Sequence, residues 1–133
     1  MAKFKSNKGQ VVAQLYSRRD EALEAAGRIL AGEVGRVLRR RGRSGAEYTV
    51  PGTGVQYVAS APGEPPAPRT GDLARSYVFE VTPPRVVVGS RKPQARLEFG
   101  WGNILPRPHL RPAERSVRDA VKAKVREIMA KGE

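Results

Sequence analysis

Apolar residues in the first third of the chain recur at spacings of three and four. The main stripe is Leu23, Ala26, Leu30, Val34 and Val37, and Ile29 and Leu38 widen it. This spacing places the side chains on one side of a helix. The helix dipole favours acidic residues near the start, here Asp20 and Glu21, and basic residues near the end, here arginines 39–41. Gly42 beyond them can end the helix. The pattern predicts a helix over about 18–41.

Two features qualify this helix. Residues 1–16 have a short, irregular pattern, so they are predicted as an N-terminal arm that could hold a short strand. Gly27, Gly32 and Gly35 lie inside the helix, where each costs up to about 1 kcal/mol relative to Ala. Close packing against another element is the expected compensation.

The middle of the chain alternates between turn residues and short β-type runs. Residues 42–53 are predicted as a loop, and 54–59 as a short strand. Residues 60–71, called here the Pro-rich loop, contain four prolines and cannot form a helix or a central strand. Residues 76–82 and 85–90 are predicted to form a hairpin across Pro83 and Pro84, and 95–101 a short helix or a strand.

The C-terminal segment again has helical spacing. Its apolar stripe is Ala113, Val117, Val121, Val125 and Ile128, and its basic face carries Arg115, Arg118, Lys122, Lys124 and Arg126. Pro112 suits the first turn of this helix, where its missing N–H costs nothing. The predicted fold class is therefore α+β: a long N-terminal helix, a small mainly antiparallel sheet with a Pro-rich loop, and a C-terminal helix, in one domain over 17–133.

Composition narrows the classes of protein. The chain has 133 residues, no cysteine and one histidine, His109, which excludes disulfide scaffolds, thiolate metal sites and histidine-rich metal sites. No apolar run is long enough for a membrane span or a secretory signal, so a soluble protein with no membrane segment, intracellular where it is made, is expected. The net charge of +12 permits contact with nucleic acid, an acidic protein or an anionic lipid.

Candidate chemistry is sparse. The cluster Arg39, Arg40, Arg41 and Arg43 could bind phosphates or could be a solvated helix end. Most of the aromatic residues are predicted to be core; they are Tyr48, Tyr57, Tyr77, Phe79, Phe99 and Trp101. The carboxylates are scattered singly near arginines and are predicted as solvated ion pairs; they are Asp72, Glu80, Glu98 and Glu114. No nucleophile or phosphate-loop motif occurs, so neither enzymatic activity nor a cofactor is expected.

Several short motifs occur in a fixed order. A TG-x-L-x-x-S element ends the Pro-rich loop, an E-F-G element follows the hairpin, and an R-P-x-x-x-P-A element precedes the last helix. Their residues are Thr70, Gly71, Leu73 and Ser76, then Glu98, Phe99 and Gly100, then Arg107, Pro108, Pro112 and Ala113. In this order, over about 15–131, the chain resembles the head–tail joining proteins of long-tailed bacteriophages, the neck or tail-completion family.

The resemblance implies a structural protein of the virion. Such proteins form a ring, sixfold or matching a twelvefold connector, between the head-connector proteins and the tail tube, around the double-stranded DNA. It also implies that Thr70, Gly71 and residues 98–100 are turn and packing positions rather than a chemical site. The Pro-rich loop is expected to become ordered against neighbouring subunits, because such contacts offset the ordering entropy.

The charge leaves the partner open. On this interpretation the basic residues either face an acidic neighbouring ring or line the lumen and hold the DNA. For the last helix the acidic ring is favoured, and for Arg39–Arg43 neither is chosen. The competing hypothesis is a small basic nucleic-acid-binding protein outside any virion.

Overall fold

The computed structural model describes residues 8–40, 42–49, 51–68 and 71–131. Three α-helices and two separate antiparallel hairpins account for most of this part of the chain, together with one 3-10 helix. The elements are α1 Lys8–Arg39, β1 Glu47–Thr49, β2 Gln56–Val58, α2 Asp72–Ser76, β3 Val78–Thr82, β4 Arg85–Gly89, the 3-10 helix Pro93–Glu98, and α3 Leu110–Met129. The predicted α+β class is confirmed.

The first helix is longer than predicted. It begins at Lys8, so an arm with a strand over 1–16 is wrong for residues 8–16, while residues 1–7 lie outside the described residues. Segment 8–17 contains no proline and several good helix formers, and each residue added to an existing helix gains one hydrogen bond. The helix therefore extends beyond its apolar stripe, and Val11, Leu15 and Tyr16 are left exposed.

The two hairpins differ in how well the sequence predicts them. Strands β3 and β4 pair from Val78↔Gly89 to Thr82↔Arg85 across Pro83 and Pro84, as predicted. The predicted loop over 42–53 is wrong in part, because it contains strand β1. The partner of β1 is β2, which lies within the predicted strand over 54–59. Strand β1 is three residues long and exposed, so it has no buried alternation to reveal it. The predicted single sheet is two two-stranded sheets.

The core lies where α1, α2 and α3 meet. Its buried members are Val34, Val37, Leu38, Ala74, Tyr77 and Ala113. Helix α3 runs antiparallel to α1, since the Ser116 hydroxyl donates to Glu33 near one end and Lys131 reaches Glu21 near the other. Of the predicted stripes, Val34, Val37 and Ala113 belong to this core and Leu30 packs against it. Ala26 of α1 and Ile128 of α3 are buried as well.

Helix α1 packs against the β3–β4 hairpin through Gly27. A Cβ added at Gly27 would lie 2.5 Å from Cδ2 of Phe79 and 2.8 Å from a methyl of Val86, so the close packing expected of this glycine is present. A Cβ at Gly32 would meet nothing within 4 Å. Gly27 therefore has no room for a side chain, whereas Gly32 has open space around it.

We expect Gly27→Ala to destabilise the protein and Gly32→Ala to stabilise it. Alanine favours a helix by about 1 kcal/mol over glycine, and only this gain applies at Gly32. At Gly27 the added methyl must displace Phe79, and such overpacking costs about 1 to 3 kcal/mol. Urea unfolding of both variants measures the difference. A stabilised Gly27→Ala would mean that α1 and the hairpin are not in close contact.

Candidate functional site

Glu98 joins the 3-10 helix to the start of α3. Its side chain is buried at 1% exposure and accepts hydrogen bonds from three successive backbone N–H groups, those of His109 at 2.5 Å, Leu110 at 2.8 Å and Arg111 at 3.0 Å. The Arg111 side chain adds its Nε at 2.9 Å. The first N–H groups of a helix have no partner within the helix, so this carboxylate caps α3 from eleven residues upstream.

His109 occupies the other side of this joint. It has no exposed surface, its Nδ1 lies 3.0 Å from the carbonyl oxygen of Arg107, and its Nε2 is hydrogen-bonded to the Tyr77 hydroxyl. Since a carbonyl can only accept, the neutral ring carries its proton on Nδ1, and Nε2 accepts from Tyr77. The two rings meet edge to face with centroids 5.5 Å apart. Tyr77 follows α2, so this contact links the TG-x-L-x-x-S region to α3.

Burial and hydrogen bonding set the charge states at the joint. Burial alone raises the pKa of Glu98, but the three backbone N–H groups and Arg111 outweigh it, and the pKa of Glu98 is lowered overall. Burial raises the pKa of the Tyr77 hydroxyl, and the charge of Glu98 raises it further. Near neutral pH the joint therefore combines a charged carboxylate with an un-ionised Tyr77 hydroxyl that is hydrogen-bonded to His109.

A short loop of apolar residues follows Glu98 and is called here the apolar knob, residues 99–105. Trp101 and Ile104 pair through two backbone hydrogen bonds, and Gly100 has a φ of 90°, a conformation that side chains disfavour. Four large side chains are exposed: Phe99 at 74%, Trp101 at 46%, Ile104 at 47% and Leu105 at 59%.

The knob is held in place on both sides. The Arg107 N–H donates to the Leu97 carbonyl, and the Gly63 N–H donates to the Pro106 carbonyl. Arg111 lies over the Phe99 ring, 5.1 Å from its centroid, and Arg96 lies 5.5 Å from the centroid of Trp101. The knob is thus an ordered apolar surface that carries two cations.

The TG-x-L-x-x-S element forms the start and end of α2. Gly71 adopts a φ of 81° immediately before the helix, and Leu73 packs against the core. The Ser76 hydroxyl lies 2.6 Å from the Leu73 carbonyl and 2.5 Å from the Ser90 hydroxyl, which ties α2 to the end of β4. Thr70 lies outside the described residues.

The R-P-x-x-x-P-A element leads into α3. Arg107 accepts from His109 through its carbonyl, and its Nη1 is buried with no hydrogen-bond partner in the described part of the chain. Pro108 is partly buried, and Pro112 lies in the first turn of α3, as predicted. Ala113 is fully buried in the core.

The arginine cluster is divided between different environments. The Arg43 guanidinium donates to the carbonyls of Pro65 at 2.8 Å, Val37 at 3.0 Å and Pro66 at 3.3 Å, and burial lowers its pKa. Arg43 therefore holds the Pro-rich loop against the end of α1. Arg39 and Arg40 are exposed, and Arg41 lies outside the described residues.

Glu64 fastens the same loop. Its carboxylate accepts from the Ser44 hydroxyl, the Ser44 N–H and the Ala61 N–H, and these bonds lower the pKa of Glu64 to about 2. The described part of the Pro-rich loop is therefore ordered against its own domain, without a neighbouring subunit. This differs from the sequence-based expectation, because Arg43 from outside the loop and Glu64 within it bond the loop to the rest of the same chain.

Two groups of residues differ from prediction. Glu98 is buried rather than solvated, whereas exposed Asp72 is paired with Arg75 and half-exposed Glu114 with Arg118. The prediction that most aromatic residues are core is wrong for the described side chains: Tyr77 is buried and Phe79 partly buried, but Tyr48, Phe99 and Trp101 are exposed. The Tyr57 side chain lies outside the described part. The sequence reasoning also missed Arg111, for which spacing along the chain gave no signal.

In the described ranges, no group of His, Asp and Glu side chains is placed to hold a metal ion. None of the helices found there is both long and apolar enough to cross a membrane. Comparison of the chain with protein-family models, curated proteins and solved structures gives no match.

Proposed function

We propose that this chain is a structural virion protein of a tailed phage or phage-like particle, which forms a ring at the head–tail interface around the DNA passage. It contacts head-connector proteins on one side and the tail tube on the other. Its role is assembly, and its motif residues build the fold and the contact surfaces of the subunit.

The observation that carries this proposal is the apolar knob. Exposed apolar side chains that cluster on a soluble chain mark interaction surfaces, and aromatic residues with arginines are enriched where protein interfaces bind most tightly. The knob combines these features with a fixed backbone, so little conformational entropy is lost when a partner covers it. Phe99 and Gly100 of the E-F-G element belong to it.

A ring requires two different surfaces on each subunit, since rotational symmetry brings one surface of a subunit against another surface of the next. A second exposed apolar pair lies on the outer face of the β3–β4 hairpin, where Val78 is 63% and Val87 is 61% exposed. The knob and this hairpin face supply two apolar surfaces on different elements. Buried joints such as Glu98 with α3 hold the knob in a constant position.

We expect Trp101→Ser combined with Leu105→Ser to prevent head–tail joining without unfolding the chain, because both side chains are exposed and the Trp101–Ile104 pairing uses backbone atoms only. The variant gene replaces the wild-type gene in the phage or phage-like genome that encodes it, and the particles are then imaged by electron microscopy. DNA-filled heads lying apart from tails are the expected result.

The matched control is Tyr48→Ser with Val55→Ser, which also removes one exposed aromatic and one exposed aliphatic side chain. It should leave particles joined. Joined particles from a folded knob variant contradict the role of the knob. Joined particles after deletion of the whole gene contradict the ring and leave the small nucleic-acid-binding protein as the function.

A further inference from the structure

Five basic side chains form a single stripe along α3, called here the α3 stripe. They are Arg111, Arg115, Arg118, Lys122 and Arg126, all exposed. Their spacings of four, three, four and four residues keep them on one side of the helix, away from buried Ala113 and Ile128. At 1.5 Å per residue the stripe is about 22 Å long, roughly two-thirds of a turn of B-DNA.

Two of the basic side chains of the stripe are ion-paired within the described part of the chain, and three are not. Arg111 and Arg118 are paired with Glu98 and Glu114, at 2.9 Å and 2.7 Å. The other three, Arg115, Lys122 and Arg126, form no ion pair with any residue that the structure describes. The Nε of Arg115 donates to the Arg111 carbonyl at 3.4 Å, and the Glu114 carboxylate is close enough to Arg115 and Lys122 to attract them. These three are available to an external anion.

The side chains around the stripe bear on whether its partner is an acidic protein or the phosphate backbone of DNA. The other exposed α3 residues are small or acidic, with no exposed aromatic or large aliphatic side chain among them: Ser116, Asp119, Ala120, Ala123 and Glu127. Glu114, which is partly buried, is a further carboxylate of this helix. Protein interfaces concentrate aromatic and apolar side chains at their centre, whereas interfaces with DNA are polar and strongly positive. The apolar knob has the first character and the α3 stripe the second. The sequence favours an acidic protein ring for this helix; the arrangement of its neighbours favours phosphate.

We propose that the α3 stripe binds the phosphate backbone of double-stranded DNA, through Arg115, Lys122 and Arg126. The proposal deepens the proposed function and rests on it for the presence of DNA beside the subunit. Side chains that contact only phosphates do not select a sequence, which suits a protein past which a whole genome moves.

The expected strength of this contact is compatible with DNA movement. Each neutralised phosphate contributes about −0.9 to the slope of log affinity against log salt, so three contacts give a slope of about −2.7. Between 50 and 200 mM salt, such a slope weakens binding about 40-fold. A single subunit therefore binds DNA weakly at physiological salt, and in a ring several subunits contribute to DNA binding together.

The test uses the purified full chain and a fluorescent 20-base-pair duplex of arbitrary sequence, with anisotropy measured from 50 to 200 mM NaCl. We expect Arg115→Gln/Lys122→Gln/Arg126→Gln to reduce the magnitude of the salt slope by about 2 to 3. The control Arg85→Gln/Arg91→Gln/Lys92→Gln also lowers the net charge from +12 to +9, but at exposed positions outside α3, and should keep the wild-type slope. Thermal unfolding checks that both variants fold.

Three results would overturn the α3 stripe as a DNA site: an unchanged slope in the stripe variant, an equal change in both variants, or displacement of DNA by polyglutamate of matched charge as efficiently as by unlabelled DNA. The last result would assign the stripe to an acidic protein. None of them bears on the knob, whose test uses particle joining. Failure of the stripe and failure of the ring are therefore observed separately.

Discussion

Glu98→Ala should lower the free energy of unfolding by about 3 to 5 kcal/mol, the range for removing one partner from a buried charged network. The substitution removes the acceptor of three backbone N–H groups at the start of α3 and of Arg111 Nε. It also leaves a cavity in a site that is 1% exposed. Urea unfolding followed by circular dichroism measures the loss.

Glu114→Ala is the matched control for this prediction. It removes a carboxylate from the same end of α3, but one that is half-exposed and forms its ion pair with exposed Arg118. Exposed pairs of this kind contribute little, so no measurable change is expected. Equal losses from the two variants would contradict the role of Glu98 as the cap of α3.

The effect of Glu98 should also depend on pH. Because its pKa is lowered in the folded protein, its contribution is complete above the ordinary glutamate pKa of about 4.3 and is lost as the pH falls through the folded value. The gap in stability between wild type and Glu98→Gln should therefore be constant near neutral pH and shrink below about pH 4. Other carboxylates with lowered pKa values are present in both proteins and cancel in this comparison.

His109→Phe should cost about 2 to 4 kcal/mol, because it leaves the Tyr77 hydroxyl and the Arg107 carbonyl without partners in a site closed to water. Phenylalanine keeps an aromatic ring there, so the loss reports mainly on hydrogen bonding. Tyr77→Phe alone leaves Nε2 of His109 unpaired and should cost about 1 to 3 kcal/mol.

The double variant His109→Phe/Tyr77→Phe separates this pair from the rest of the core. It removes both ends of one hydrogen bond, so it should be no less stable than His109→Phe alone, with a coupling energy of about 1 to 3 kcal/mol. A double-mutant cycle in urea measures the coupling. Strictly additive losses would show that the Tyr77–His109 contact contributes nothing to stability.

The three motifs are separate in the sequence, but in the fold hydrogen bonds connect residues of the E-F-G and R-P-x-x-x-P-A elements with Tyr77, which follows the TG-x-L-x-x-S element. Glu98 fixes the start of α3, His109 fixes Tyr77 beside it, and the apolar knob projects from the segment between them. In the proposed ring such a joint would lower the entropic cost of assembly, because a rigid contact surface loses little conformational freedom when a neighbour covers it.

Local patterning alone was sufficient for the main elements. The stripes of α1 and α3 and the β3–β4 hairpin were predicted because helix and strand periodicities are written in neighbouring residues and because Pro83 and Pro84 mark the turn. The Pro-rich loop followed from the missing N–H and fixed φ of proline. The start of α1 was misjudged, since residues 8–16 are helical without contributing a buried stripe.

Only the tertiary structure decided which polar and aromatic side chains are buried. Glu98 and Glu114 both lie near arginines in the sequence, yet one caps a helix inside the protein and the other is at the surface. Phe99 follows Glu98 directly and is nevertheless 74% exposed. Burial depends on what packs against a residue from distant parts of the chain, and spacing along the sequence carries no record of those contacts.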